Sequence, residues 1–115
     1  MKVLLFDESA SETNNNFHPG INVTVRRGTK YLKTLEIGEK VKLENLQGDS
    51  LGGGTIIQMI GGKIIDIPDV FLNFEHDPKC RVKGGLVEVL QNCYDDPNID
   101  INETTTAIAF LMDAE

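Results

Sequence analysis

Residues 20–44, GINVTVRRGTKYLKTLEIGEKVKLE, confine this chain more than any other stretch. Two strand-like runs flank a short loop opened by Gly28, so the region reads as strand, basic loop, strand. In residues 21–27, Val23 and Val25 alternate with Asn22, Thr24 and Arg26. That is the period of a half-buried strand with a polar stripe on its open face. Residues 29–38 predict a loop or a single helical turn anchored by Leu32 and Leu35. Residues 40–46 predict a second strand with Val41, Leu43 and Leu46 facing inward. Six of the eleven Lys and Arg residues fall in this span: Arg26, Arg27, Lys30, Lys33, Lys40 and Lys42. Cations gathered beside a glycine hinge, in a chain of net charge −7, point to an anion site, phosphate above all.

The remaining segments extend the β pattern and add helices late. Residues 1–6, MKVLLF, read as a short strand, and the polar run 7–19 as a long loop, expected to be mobile. Residues 47–54, QGDSLGGG, read as a glycine-rich turn. Strands are expected over 55–60 and 63–67, parted by a tight turn or bulge at Gly61-Gly62. Pro68 suits the opening of a short helix, PDVFLNFEHD, with Val70, Phe71 and Phe74 on its buried side. A second helix is expected from Gly85 to Tyr94, where Leu86, Val89, Leu90 and Cys93 follow the amphipathic spacing. Asp95, Asp96 and Pro97 end it, and residues 105–112 form a closing strand. Strands and helices do not alternate, which argues against a doubly wound parallel sheet. The expectation is an α+β fold: one domain over residues 1–115, a small mixed β-barrel of five to six strands with two helices packed at its end or side.

Composition narrows the functional classes. No apolar run approaches the ~18 residues of a membrane span, and the N-terminal apolar run is too short for a signal h-region. A cytoplasmic protein is expected, with Cys80 and Cys93 as reduced thiols and no membrane partner. Residues 84–115 carry seven acids and no Lys or Arg, whereas residues 21–83 carry ten Lys or Arg against eight acids. The acidic total disfavours tight non-specific binding to long DNA and leaves room for a local basic pocket.

The Thr24-Val25-Arg26 strand, the basic glycine loop and the following Gly-Glu-Lys-Val-Lys-Leu strand are similar to the ASCH family, small β-barrels related to the PUA RNA-binding fold. The order of the later elements, IIDIPDVFLNFEHDP, GGLVEVLQNCY and the closing strand, matches over roughly residues 20–112. The resemblance implies a cleft that binds RNA or a modified nucleoside. Small bacterial members hydrolyse acetylcytidine with a lysine, a threonine and a glutamate. The threonine and the arginine after it match Thr24 and Arg26, the position of the lysine falls on Ile21, and Glu75 lies in the region of the glutamate. Of the family's Gly-x-Lys-x-x-Glu-x-Arg signature, Gly28 and Lys30 match, while Lys33 and Leu35 replace the Glu and Arg.

The candidate ligand-binding set is therefore Asn22, Thr24, Arg26, Arg27, Lys30 and Tyr31. Arginine supplies a planar fork for phosphate or guanine, lysine a point charge, and Tyr31 a ring placed to stack on a base. The competing reading is a solvated face whose cations pair with Glu36, Glu39 and Glu44. The candidate catalytic pair is Thr24 and Glu75, since a glutamate beside a cleft acts as general base when burial raises its pKa. Glu75 opens the run Glu75-His76-Asp77-Pro78-Lys79-Cys80-Arg81, in which His76 and Cys80 are too few ligands for a metal. Gly52-Gly53-Gly54 lacks the Gly-Lys-Ser/Thr of a phosphate loop. No metal and no cofactor are called for. Three functions follow in order: an RNA- or nucleotide-binding domain using the basic strand and loop; an amidohydrolase acting on an acetylated nucleoside; and an acidic interaction factor, of a phage-type accessory kind, meeting a protein partner through its C-terminal third.

Overall fold

The computed structural model describes residues 1–9 and 17–114. The expected mobile loop at 7–19 falls largely outside them. Five strands form a single mixed sheet: β1 (Lys2–Phe6), β2 (Ile21–Arg27), β3 (Lys40–Asn45), β4 (Ser50–Lys63) and β5 (Thr104–Met112). Their spatial order is β1-β3-β4-β5-β2. β1 runs parallel to β3, and every other pair is antiparallel. The helices are α1 (Lys30–Thr34), α2 (Asp69–Leu72) and α3 (Lys83–Tyr94), with 3-10 turns at Ile64–Asp66 and Pro78–Arg81. The α+β class matches expectation; the strands expected as a small barrel form one curled mixed sheet whose edge strands, β1 and β2, do not pair with each other among the described residues, and α1 is the single helical turn foreseen between Gly28 and Gly38.

β4 curls the sheet. Its first residues, Ser50 to Thr55, pair with β3, and its later ones, Gly54 to Lys63, pair with β5. Register shifts at Leu43/Glu44 and at Ile56/Gln58 bend the ladders. Gly54 lies where a Cβ would meet the Leu111 carbonyl oxygen at 3.0 Å and the Phe110 ring at 3.1 Å. The glycine-rich stretch is thus not the turn expected over 47–54. The chain turns at residues 46–49, and Gly52 to Gly54 are strand residues that let β4 pass close to β5. Likewise Gly61-Gly62 breaks nothing: the two strands expected over 55–60 and 63–67 are one strand followed by a 3-10 turn.

The curl brings the two edge strands face to face, with the Arg26 guanidinium of β2 only 4.6 Å from the ring centre of Phe6 on β1. The concave face is packed by Leu4, Phe6, Leu35, Val41, Leu43, Ile56, Ile108 and Phe110. The outer face of β2 and β5 is covered by α3, whose Leu86, Val89 and Leu90 meet Val23, Val25, Ala107 and Ala109. Each buried aliphatic side chain there contributes about 1.5–3 kcal/mol. β5 alternates Ala107 and Ala109 outward with Ile108 and Phe110 inward. Small residues admit the helix on one face while large ones fill the concavity on the other.

Several expected orientations change. Leu46 is exposed, because Val41, Leu43 and Asn45 share the inward face by simple alternation and β3 ends at Asn45. In α2 it is Leu72 that is buried, while Val70 and Phe74 face solvent, because the helix spans only four residues. Cys93 is exposed at the end of α3, and Cys80 is the buried cysteine. The polar stripe of β2 is not on an open face. Asn22 and Thr24 are 0% and 3% exposed, because that face is the concave interior.

α3 starts against the turn before it. A Cβ on Gly85 would lie 2.0 Å from the Lys79 carbonyl oxygen, whereas one on Gly84 would meet nothing within 4 Å. Gly85→Ala should therefore destabilise the protein by about 1–3 kcal/mol through forced backbone movement. Gly84→Ala should stabilise it by roughly 0.5–1 kcal/mol through helix propensity. Urea unfolding midpoints of the two variants check the opposite signs.

Candidate functional site

A cleft of ≈ 70 Å³ runs along the edge of β2 that faces away from β5. Its walls come from β1 (Leu5, Phe6, with Asp7), from β2 (Thr24, Val25, Arg26), from the segment Glu75–Asp77 and from α3 (Leu86 to Tyr94). An apolar cavity of about 150 Å³ accommodates benzene, so this cleft admits the edge of a flat group and leaves the remainder of a larger molecule outside.

The cleft exists because residues 74–76 lie beside β2 where another strand would pair. The Val23 N–H donates to the Phe74 carbonyl at 2.7 Å, and the Val23 carbonyl accepts from the His76 N–H at 3.0 Å. This two-bond bridge buries Glu75, which is 2% exposed. Its Oε1 accepts the Asp77 N–H at 3.3 Å and stands 3.1 Å from His76 Nε2. Its Oε2 is buried without a partner among the described residues. Burial lifts the Glu75 carboxyl well above the usual carboxylate range, and the nearby Asp77 charge adds to the rise.

His76 is held by rings. Phe17 stacks on it at 5.0 Å, and Phe6 meets it edge-on at 5.0 Å. Burial and the Arg26 charge push its pKa down to about 3, so the imidazole is neutral. Its Nδ1 is likewise buried without a partner. Arg26 Nε–H donates to Thr24 Oγ1 at 3.1 Å, which fixes the plane of the fork between Phe6 and the more distant Tyr31 ring at 5.9 Å. Arg26 Nη2 is the third buried polar atom with no partner.

The structure gathers Thr24, Arg26 and Glu75 on one cleft and disperses the rest of the expected set. Asn22 lies deeper on the same strand face, where its amide donates to the His18 carbonyl at 2.7 Å and accepts the His18 N–H at 3.2 Å. Arg27, one residue from Arg26, points the opposite way and pairs with Glu103 at 2.7 Å and Asp96 at 2.8 Å. Lys30 is exposed, 5.3 Å from the Tyr31 ring, and Tyr31 is half-buried against the concave core. Among the described residues the ion pairs of the basic span go elsewhere than to Glu36, Glu39 and Glu44: Glu39 pairs with Lys2, Arg27 with Asp96 and Glu103, and Lys40 with Asp113. Phe6, Phe17 and Tyr94 were not foreseen beside the cleft, and His76 was weighed only as part of the Glu75–Arg81 run and as a metal ligand. The one signal for Phe17 was a lone aromatic in an otherwise polar run.

His76 and Cys80 do not converge on a common point: the histidine sits in the aromatic stack, while the Cys80 thiol donates to Asp77 Oδ2 at 3.6 Å. Among the described residues no group of three or more His, Cys, Asp or Glu is arranged to hold a metal, and no helix is long and apolar enough to cross a membrane.

The two buried ionisable groups oppose each other in pH. His76 binds a proton far less readily in the folded than in the unfolded chain. The stability it contributes is full above pH 6.5 and lost as pH falls toward about 3. Glu75 has a raised pKa, so its contribution is full below about 4.5 and lost as pH rises through its folded value. His76→Gln should flatten the acid limb of a stability–pH profile, and Glu75→Gln should raise the unfolding midpoint at pH 7–8. Urea titrations across pH 3–8 read both effects.

No family model matches the chain, and no curated protein matches it. Among solved structures it is similar to an ASCH domain from Lactobacillus crispatus JV V101, with a TM-score of 0.57 and 10% sequence identity over 79% of this chain and 63% of that one. The chain spans less than two thirds of that structure's length. At this identity the likeness is one of fold: the curled mixed sheet, with its edge strands facing across a cleft, is an ASCH-like fold.

Proposed function

We propose that this protein binds RNA or a nucleotide by taking the edge of one unpaired base into the cleft beside β2. The observation that carries the reading is the coincidence of Arg26 Nη2, Glu75 Oε2 and His76 Nδ1, buried polar atoms without partners among the described residues, on residues lining one cleft. Buried polar groups are almost always satisfied, and an unmade bond there costs about 1–3 kcal/mol, so three orphans in one place mark where a polar ligand belongs. The volume suits a base edge, and the Arg26 fork, its Nε held by Thr24, is preorganised for planar recognition. Tyr31 and Lys30 do not line the cleft; the Tyr31 ring is 5.9 Å from the Arg26 guanidinium and Lys30 is 5.3 Å from that ring, and in this reading they meet the phosphate and the neighbouring base outside it. ASCH-like folds, by the resemblance above, supply the RNA or nucleoside context.

Hydrolysis of an acetylated nucleoside is the second reading, favoured by the buried Glu75, its pKa raised by burial, which lines the same cleft as Thr24. It lacks an amine, since position 21 holds isoleucine, and the Thr24 hydroxyl is already engaged by Arg26. Turnover of acetylcytidine by the pure protein is its test, and an absence of turnover removes it. A protein partner on the acidic C-terminal third has less to draw on than the charge count implied. Glu88, Asp96, Glu103 and Asp113 are in ion pairs with Lys79, Arg27 and Lys40.

Arg26→Ala should weaken binding of a short single-stranded RNA by about 1–3 kcal/mol, while Arg27→Ala, on the opposite face, should leave it unchanged. Fluorescence anisotropy at fixed salt measures both. Equal affinities for wild type and Arg26→Ala would remove this cleft as the binding site.

A further inference from the structure

We infer that the main-chain N–H and C=O of Val25 are the atoms that read the inserted base, by pairing with the donor–acceptor edge it would otherwise turn to a complementary strand. This rests on the base-binding reading above and adds to it which groups do the recognising.

The argument is an accounting of one strand edge. In an extended strand the N–H and C=O of one residue point to the same side, and those of the next residue point to the other. Val23 turns both groups away from β5, to Phe74 and His76. The β2–β5 register runs unbroken from Ile21 to Arg27. Val25 and Arg27 therefore turn theirs the same way as Val23. The Arg27 N–H finds the Tyr94 hydroxyl at 3.2 Å. Val25, between two satisfied neighbours, meets no protein partner among the described residues. It is only 6% exposed, and it lines the cleft. A main-chain donor and acceptor left together at a buried edge are expected to find a partner outside the secondary structure.

The shape of the gap selects the partner. It is one residue long, closed on one side by the 74–76 bridge and on the other by Tyr94. An added peptide strand needs alternate residues in succession to pair, and there is no room for a second. A base presents a donor beside an acceptor within a single flat edge, which is how unpaired bases in single-stranded RNA are read. Glu75 Oε2 and Arg26 Nη2, on the same walls, are placed to meet the substituents on either side of that edge.

The test uses ¹⁵N-labelled protein and a mixed-sequence single-stranded RNA hexamer, with the same hexamer annealed to its complement as control. With the single strand at saturation, the Val25 amide should shift and its hydrogen exchange should slow by about tenfold or more. The duplex, whose base edges are occupied, should do neither. Val25→Pro removes this N–H, which takes no part in the β5 ladder, and proline is tolerated on such an edge; it also exchanges the buried isopropyl group that packs on α3 for a ring. The variant should keep the wild-type spectrum away from β2 and the facing side of α3 and bind the single strand at least about tenfold more weakly, whereas Val25→Ala, which trims the same packing but keeps the N–H, should bind as the wild type does. If the single strand shifts Arg26 and Phe6 while Val25 exchange is unchanged, or if the duplex protects Val25 equally, the assignment to Val25 is overturned and the cleft reading survives. If no cleft residue shifts, the cleft reading fails and this one falls with it. Should Val25→Pro not fold, the wild-type exchange data decide by themselves.

Discussion

Two hydrogen bonds from Val23 to residues 74 and 76 govern the rest of this molecule. They seat a short irregular segment against the edge of β2, where a sixth strand, or β1 itself, would otherwise pair. Their first consequence is that β1 and β2 face each other across a gap instead of sharing a ladder. Their second is that Glu75 is carried into the interior, where it is 2% exposed. Their third is that the neighbouring His76 is brought under Phe6 and Phe17. The cleft, its orphaned polar atoms and its displaced pKa values all descend from one strand edge being occupied over a single residue.

The electrostatics follow the same geometry. Arg26 and Arg27 are adjacent in sequence and opposite in fate. One enters the concavity and shifts the titration of Glu75 and His76. The other lies on the outer face and is held by two carboxylates from the α3–β5 connection. A strand's period of two converts one step along the chain into a change of side. The basic character of the 20–44 span is therefore divided: only Arg26 contributes charge to the cleft walls, and Lys40 and Arg27 are tied to acids elsewhere.

Much of the fold was legible in the residues. The alternation in 21–27, the spacing of Leu86, Val89 and Leu90 and the density of 105–112 each marked an element whose packing is local or one-faced. What misled was glycine. Gly52 to Gly54 and Gly61-Gly62 read as turns because glycine is permissive, yet both lie within β4. In this strand the absence of side chains is used for close approach, to β5 at Gly54 and to Leu32 of α1 at Gly61. Leu46 and Cys93 were misplaced because β3 ends at Asn45, one residue before Leu46, and the packing that covers Leu86, Val89 and Leu90 does not reach Cys93, boundaries that composition does not signal. Among the residues that line the cleft, Thr24, Arg26 and Glu75 were candidates named from motif and chemistry. The open main-chain edge at Val25 was invisible, because a backbone group carries no sequence signature and its availability depends on what its neighbours bond.

The sequence by itself determined which residues share a face of each strand or helix, since backbone sterics set the periods of two and 3.6 wherever a segment is regular. It also determined that an acidic chain would hold a local cluster of cations. Tertiary structure alone decided that the polar face of β2 would be the inside, that Arg27 would be neutralised by Asp96 and Glu103 from far along the chain, and that one strand edge would be left open for a single residue. Those outcomes depend on which edges and faces meet after the sheet curls. Contacts between residues some fifty to eighty positions apart settle that, and no local pattern encodes them.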